Sequence, residues 1–243
     1  MNMQDILDIV IHCPLFQNLP PGEATVVIEN GRVQPFGQSD HFFHQGDEAI
    51  MMYLLLSGHV KLSQVTAEGD QVILGYLGPG DGLGIIVALS QMPYPLTAEA
   101  MTDSTAVAWT RHTMQQLMLR YPQLALNGMD MIGRRFARLQ TQFQELATER
   151  VEQRVARALI RLIRQFGKRT DTGILIDMPL SREDLAQMTG TNLYNVSRIL
   201  SKWEQNGLVS TGRKQITVCH THRLVAIAED LQVSGQSGLG DSL

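Results

Sequence analysis

Between Gly31 and Trp109 apolar and polar residues alternate in short segments, HFFHQG, YLLLSG, HVKLSQV, QVILGYLG and TAVAWT, separated by turn residues. Segments this short, bounded by turns, read as strands rather than helices. Gly46, Gly58, Gly69 and Gly80 recur every 11 to 12 positions, and EGD at 68–70 and GPGDG at 78–82 add clear turns. Turn signals at that spacing predict an antiparallel sandwich or double-sheet β-roll, not a βαβ alternation. No glycine cluster opens a helix after a strand, so a phosphate loop of the dinucleotide kind is not expected.

The period then changes. Met129, Ile132, Phe136, Leu139, Phe143 and Leu146 follow at steps of 3, 4, 3, 4 and 3, the a/d seam of a coiled coil. The stripe is narrow and flanked by Arg134, Arg135, Arg138, Gln140, Gln142 and Gln144, which predicts a dimer helix rather than the core helix of a single domain. A second helix turns Val151, Val155, Leu159, Leu162 and Phe166 inward and Arg150, Arg154, Arg157, Arg161 and Arg164 mostly outward, with Gly167 as its C′ stop. GILIDM reads as a strand broken by Pro179. Ser181 is the N-cap of REDLAQM, with Glu183 and Asp184 in its first turn. Gly190 makes a turn, Thr191 or Asn192 caps the next helix, and Gly207 stops it. LVSTGRKQITV is a hairpin with Gly212 at its tip, RLVAIAEDL a last helix, and SGQSGLGDS a flexible tail. Two short helices across a glycine turn, then a hairpin, predict a winged helix-turn-helix.

Composition adds a division of labour. The 243 residues are 44% hydrophobic and 18% charged, ordinary for a soluble chain long enough for two domains. The net charge of −4 by itself argues against a nucleic-acid binder. Residues 1–147, however, carry 7 basic and 14 acidic side chains, and residues 148–243 carry 13 and 10. Such asymmetry fits a sensor joined to a polyanion-binding unit. Cys13 and Cys219 form no CxxC pair, so no disulfide framework is indicated and the compartment is read as reducing. MNMQDILDIV has two aspartates and no basic residue, a poor signal peptide. Runs such as GIIVAL are too short to span a bilayer. A cytoplasmic protein without a membrane partner is expected. No nucleophile-base pair, metal-spaced His/Glu set or carboxylate pair stands on one element, so an enzyme is not expected.

In the second helix of the pair, Val196, Ile199, Leu200 and Trp203 form the inward stripe. Leu193, Tyr194, Asn195, Ser197, Arg198, Ser201 and Lys202 are left to face outward or to lie at the margin. An ordinary αα-hairpin would pack Leu193 and Tyr194 on a neighbour; the basic hairpin tip GRK favours DNA instead. Arg198 has the fork that clasps guanine O6 and N7, and Leu193 and Tyr194 offer apolar surface to thymine methyl groups. Asn192, Ser201, Lys202, Arg213 and Lys214 are expected mostly on phosphates, and Arg182, Thr191, Asn195 and Ser197 complete the DNA-facing set. The expected partner is a palindromic duplex with half-sites about 10 base pairs apart.

Taken in order, FFHQGDEA, YLLLSGHVKL and LGPGDGLG, then RYPQLALNGMDMIGRRFARLQ, then DLAQMTGTNLYNVSRILSKWEQNGLV resemble the CRP/FNR family over residues 12–230. The resemblance implies a homodimeric transcription regulator of α+β class. Its parts would be a cyclic-nucleotide-binding-like β-roll (a double-sheet jelly roll) sensing an effector at 1–111, a linker and dimerisation helix at 112–147, a winged helix-turn-helix at 148–230 and a tail at 231–243. RNA polymerase is implied as a partner. Family members commonly place an acidic residue at the position of Tyr194, where it accepts from cytosine, so one base preference is expected to change here. YPLTAEA, ERVEQRVARALIRLI and LYNVSRILSKWE are similar to nitric-oxide-responsive denitrification regulators, which implies haem as a cofactor.

Departures from the family pattern bear on the signal. Cyclic-nucleotide-binding members carry a Gly-Glu near the end of the roll for the ribose and an Arg further on for the phosphate. In GLGIIVALSQMPYPLTAEA, Ile85 takes the Glu position and Pro95 or a neighbour the Arg position. Leu139 and Gln140 stand where the dimer helix would offer hydroxyls to the base. An anion without a cationic partner is costly to bury. The cavity expected at Gly84, Ile85, Ile86, Pro95, Leu96, Thr97, Phe136, Leu139 and Gln140 is therefore read as apolar. It suits a neutral or hydrophobic effector or a haem rather than cAMP. The iron-sulfur branch's N-terminal cysteine set is missing. The carbon-monoxide-sensing member's ligand His after GD is replaced by Gly84, Ile85, Ile86 and Val87. His12, His41, His44, His59 and His112 are the candidate haem ligands of the sensor half. Two competing readings are a cAMP-dependent regulator with a degenerate pocket and a ligand-binding or protein-interaction module that no longer touches DNA.

Overall fold

The computed structural model describes residues 3–231, so the expected tail lies, apart from Leu231, outside the described residues. The chain divides into two compact units, one through residue 144 and one from residue 145.

The first unit opens with helices α1 (Met3–Val10) and α2 (Pro21–Glu29). Strands β1 (Arg32–Phe36), β2 (His41–Phe43), β3 (Met51–Ser57), β4 (Val60–Val65), β5 (Gln71–Leu77) and β6 (Gly82–Leu83) follow. After a single turn of helix, α3 (Ile86–Leu89), come β7 (Thr97–Ala100), β8 (Ser104–Thr110), α4 (Arg111–Arg120) and α5 (Pro122–Thr148), whose residues from Glu145 on belong to the second unit. The strands make two four-stranded antiparallel sheets, ordered β1-β8-β3-β6 and β2-β7-β4-β5. This is the double-sheet roll that the turn spacing predicts. Pro35 lies in β1, at the edge of its sheet, where a missing N–H is tolerated.

The apolar run of β3 is explained by burial on both faces. Tyr53 and Leu55 join Phe42, Phe43, Val60, Leu77, Ala98 and Ala108 in a core drawn from both sheets. Met52, Leu54 and Leu56 point the other way, into a second core with Val10, Leu15, Val27, Met114, Leu117 and Leu124 from the helices. The two-residue strand period makes that division. Trp109 joins the second core and its Nε1–H donates to the Val27 carbonyl at 2.8 Å. Helix α5 is fastened to the N-terminal segment by Asn127, whose Nδ2 donates to the carbonyls of Leu15 and Gln17, each at 2.8 Å.

The second unit holds α6 (Val151–Phe166), β9 (Gly167–Thr170), β10 (Gly173–Ile176), α7 (Arg182–Thr189), α8 (Leu193–Gln205), β11 (Val209–Gly212), β12 (Gln215–Val218) and α9 (Thr221–Ala228). The strands form one antiparallel sheet, β11-β12-β10-β9. Val155, Leu159, Leu162 and Phe166 of α6 are buried, as their spacing requires. Gly167 corrects the expected C′ stop. Its φ of −73° and ψ of 125° are extended rather than left-handed, and it begins β9. Glycine is required there by crowding, because a Cβ would stand 2.1 Å from the Ile163 carbonyl oxygen. No helix among the described residues is long and apolar enough to cross a membrane.

Burial of Cys13 and Tyr53 makes the first unit sensitive to alkali. The Cys13 thiol, buried and donating to the Gly80 carbonyl at 2.6 Å, is pushed up from 9.0 to about 12, chiefly by burial. The Tyr53 phenol is pushed from 10.0 to about 12, again chiefly by burial. The unfolded chain releases these protons first, so stability is full below pH 9 and falls as pH rises toward 12. Urea midpoints measured between pH 8 and 11 should show that decline. Cys13→Ala should remove the part that begins near pH 9 and leave the later, tyrosine part.

Candidate functional site

Two sites emerge, one in each unit. In the second unit, α7 starts with a reciprocal capping box: the Ser181 hydroxyl accepts from Asp184 N at 3.0 Å, and the Asp184 carboxylate accepts from Ser181 N at 2.8 Å. The helix ends on Gly190, left-handed at φ 59°, where a Cβ would also meet Leu146 Cδ2 at 2.7 Å. Asn192 is the cap of α8, its side-chain oxygen accepting from Asn195 N at 2.9 Å. This settles the choice between Thr191 and Asn192. Val196, Ile199, Leu200 and Trp203 are buried. On the opposite edge Leu193 is 46% and Tyr194 73% exposed, and Arg198 is exposed.

The twelve residues expected to face DNA separate into three groups. Several are held by partners within the unit. The Thr191 hydroxyl accepts from Asn195 Nδ2 at 3.0 Å, and Arg182 Nη2 donates to the Thr211 hydroxyl at 3.4 Å. The Lys202 ammonium pairs with Glu152 at 3.3 Å, beside the Trp203 indole that donates to the same carboxylate. Tyr194, Arg198, Arg213 and Lys214 are exposed, and their side chains have no hydrogen-bond or ion-pair partner among the described residues. Ser197 and Ser201 lie half-buried at the margin. The hairpin tip is Arg213–Lys214 rather than Gly212, which pairs with Gln215 within the ladder. Lys214 is left-handed at φ 54°, and its carbonyl accepts from Leu180 N at 3.0 Å, which fixes the tip against the approach to α7.

Sequence reasoning placed the arginines of α6 mostly outward. Three of them turn out to brace the unit. Arg154 donates to the carbonyls of Thr189 at 2.9 Å, Gly190 at 3.3 Å and Glu149 at 2.8 Å. It thereby satisfies carbonyls that the end of α7 leaves without helical partners. Arg157 pairs with Glu149 and Glu229, and Arg161 with both oxygens of Glu145. The i, i+3 and i+4 spacing of these arginines along α6, with Glu145 and Glu149 just before it, is the signal that could have found them.

In the first unit a cavity of about 160 Å³ is walled by Phe43, Leu62, Leu77, Leu83, Tyr94 and Ile132, among others. Gly84, Ile85, Ile86, Pro95 and Leu96 line it as expected. Four expected residues do not. Thr97 spends its hydroxyl on Gln45 N at 3.0 Å. Phe136, Leu139 and Gln140 are exposed, because α5 passes the cavity at Ile132 and Arg135 and Leu139 lies about 10 Å farther along the axis than Ile132, at 1.5 Å per residue. The Tyr94 hydroxyl is engaged with the Met51 backbone, at 2.6 Å to its carbonyl and 3.0 Å to its N–H. That ring stacks on Phe43 with centroids 3.9 Å apart.

One lining residue overturns the reading of a cavity without a cation: Arg135. Its guanidinium donates to the Gly82 carbonyl. Burial lowers its pKa from the ordinary value, and the Asp81 carboxylate opposes that shift. A haem does not fit. A cavity of about this size holds a benzene ring, and none of the five sensor histidines lines it. His12, His41, His44 and His112 are exposed and His59 half-buried, with the rings of His41 and His44 stacked on each other at 4.3 Å.

Residues 21–121 match the cyclic nucleotide-binding domain, and residues 153–227 the Crp-like helix-turn-helix domain. The chain is 29% identical to the cyclic AMP receptor protein of Thermus thermophilus over 88% of its own length and 96% of that protein's. Among solved structures, the catabolite activator protein of Thermus thermophilus is 30% identical, covering 90% of this chain and 99% of that one, with a TM-score of 0.52. FixK2 from Bradyrhizobium japonicum shares the fold, with a TM-score of 0.72 at 22% identity over 81% of this chain and 96% of that one.

The Arg154 clamp has a measurable consequence. Arg154→Ala should leave the Thr189 and Gly190 carbonyls without their charged donor and cost about 1.5–3 kcal/mol per strong bond lost to a charged group. Arg154→Lys should recover only part, since an ammonium lacks the fork. Urea unfolding followed by circular dichroism reads both effects.

Proposed function

This chain belongs to the CRP/FNR family of transcription regulators, and from that premise we propose that it works as a homodimer on palindromic DNA under a signal other than cAMP. One observation carries the DNA reading. The edge of α8 that shows Leu193, Tyr194 and Arg198 is exposed, while its opposite stripe is fully buried, and the free cations Arg213 and Lys214 stand on the wing. Arg198 reads a guanine, Leu193 and Tyr194 meet thymine methyl groups, and the wing cations hold phosphates. Thr191, Asn192, Asn195, Arg182 and Lys202 serve mainly to position the helix, since their polar groups already have partners in the unit. RNA polymerase is the natural further partner of a regulator so placed.

Dimerisation rests on the α5 seam. Met129, Phe136, Leu139, Phe143 and Leu146 are 53%, 61%, 44%, 75% and 49% exposed, an apolar stripe that a second copy would cover; Ile132, expected in the same seam, instead packs on the core of the first unit and lines the cavity. The signal is read in the cavity beside Ile85. With isoleucine in the position of the ribose-binding Glu and a volume of about 160 Å³, the site is too small and too apolar for a nucleotide. The competing module that has lost DNA binding would have no reason to keep Arg198 and the wing cations free.

Three measurements test these assignments. Binding-site selection with Arg198→Ala should cost about 1–3 kcal/mol and relax the choice at one guanine per half-site, while Lys214→Ala should weaken all sequences alike and flatten the salt dependence. An unchanged selected motif with Arg198→Ala would remove α8 as the reader. Phe136→Asp should place a charge in the dimer seam at a cost of about 3–5 kcal/mol, and sedimentation should show monomers; a persistent dimer means the seam lies elsewhere. Calorimetric titration with millimolar cAMP should be flat, whereas tight binding would restore the cAMP-dependent reading.

A further inference from the structure

The cavity of the first unit combines two features that rarely occur together. Its wall is almost wholly apolar, with the stacked rings of Phe43 and Tyr94 on one part of it, and yet Arg135 lines it. A guanidinium has five N–H donors in a planar fork. One nitrogen, Nη2, is given to the Gly82 carbonyl. Placing a cation against a leucine- and isoleucine-lined wall is costly unless an anion meets it there. The Asp81 carboxylate opposes the lowering that burial imposes on the Arg135 pKa. Among the described residues Arg135 is the one cationic side chain in the lining, which matches a guest of single negative charge. Tyr94 adds no hydrogen bond of its own to a guest, because its hydroxyl is engaged with Met51.

We propose that the effector is a small monocarboxylate with an apolar body the size of one ring, its carboxylate gripped by Arg135 and its body seated among Leu62, Leu77, Ile85 and Leu96. The inference rests on the reading of this cavity as the effector site. Size fixes the body, since an apolar cavity of about 150 Å³ accommodates benzene and this one measures about 160 Å³. Chemistry fixes the head group, since a planar fork matches a carboxylate bidentately. Location makes the contact regulatory. Arg135 and Ile132 sit on α5, within the same turn of the helix as the seam residue Phe136. A carboxylate that draws the guanidinium from the Gly82 carbonyl acts directly on the helix that carries the dimer seam.

The test is calorimetric titration of the full-length chain at constant ionic strength with three probes of one shape: sodium benzoate, benzyl alcohol and benzylamine hydrochloride. Benzoate should bind at least about tenfold more tightly than benzyl alcohol, the equivalent of one charge-assisted contact, and benzylamine should give no heat. Arg135→Gln should reduce benzoate to the level of benzyl alcohol, and Arg135→Lys should keep part of the preference. Leu96→Trp, which fills the cavity, should abolish binding of both. The probe series on the unaltered chain needs no variant to fold. Equal binding of benzoate and benzyl alcohol overturns the role of Arg135 but leaves the cavity as an effector site. No binding of any probe at millimolar concentration overturns both. Benzoate affinity that survives Leu96→Trp places the carboxylate elsewhere and sinks the proposal.

Discussion

Helix α5 carries more apolar surface than one face can bury, and much else depends on that excess. Leu124 and Met131 enter the core of the first unit, while Phe136, Leu139, Phe143 and Leu146 stay in water along the adjoining face. Full burial of each such side chain is worth about 1.5–3 kcal/mol, so the uncovered seam is a standing drive toward association. The same helix brings Arg135 and Ile132 to the cavity. Cavity wall and exposed stripe are therefore carried on one helix, Arg135 next to Phe136 in the chain.

The large features were legible because each has a period. Spaced glycines marked the roll, the 3-4 rhythm marked α5, and capping signals marked α7 and α8. Elements without a period escaped. β7 is TAEA, too short and too small in its side chains to stand out; β6 is two residues; α1, α2 and α4 lie outside the segments in which any rhythm was read. β1 contains Pro35, which reads as a strand breaker until its edge position is known. The cavity was found only in part. Its chain-local members, Gly84 to Ile86 with Pro95 and Leu96, line the cavity. Its cation was sought near Pro95 and lies 40 residues later, at Arg135, because a pocket is assembled by packing and sequence spacing carries no record of that.

The charge pattern of the second unit also changes meaning in three dimensions. Its basic excess fitted a polyanion-binding unit, with the arginines of α6 read as mostly outward. Arg154, Arg157 and Arg161 are instead consumed by carbonyls and by Glu145, Glu149 and Glu229, where they brace α6 against the ends of its neighbours. The exposed cations of this unit left without an ion-pair partner among the described residues are Arg198 on α8, Arg213 and Lys214 on the wing, and Arg164, Lys168 and Arg169 at the end of α6 and in β9.

Helix α8 keeps its packing stripe and its exposed edge on different sides. Val196, Ile199, Leu200 and Trp203 hold it in place, and none of them reaches the edge formed by Leu193, Tyr194 and Arg198. Exposed substitutions away from caps and cores usually shift stability by no more than about 0.5 kcal/mol. The exposed edge is therefore nearly free to vary without endangering the fold. A lineage that duplicates this gene can change what that edge offers by a few outward substitutions while every brace and core residue is inherited intact.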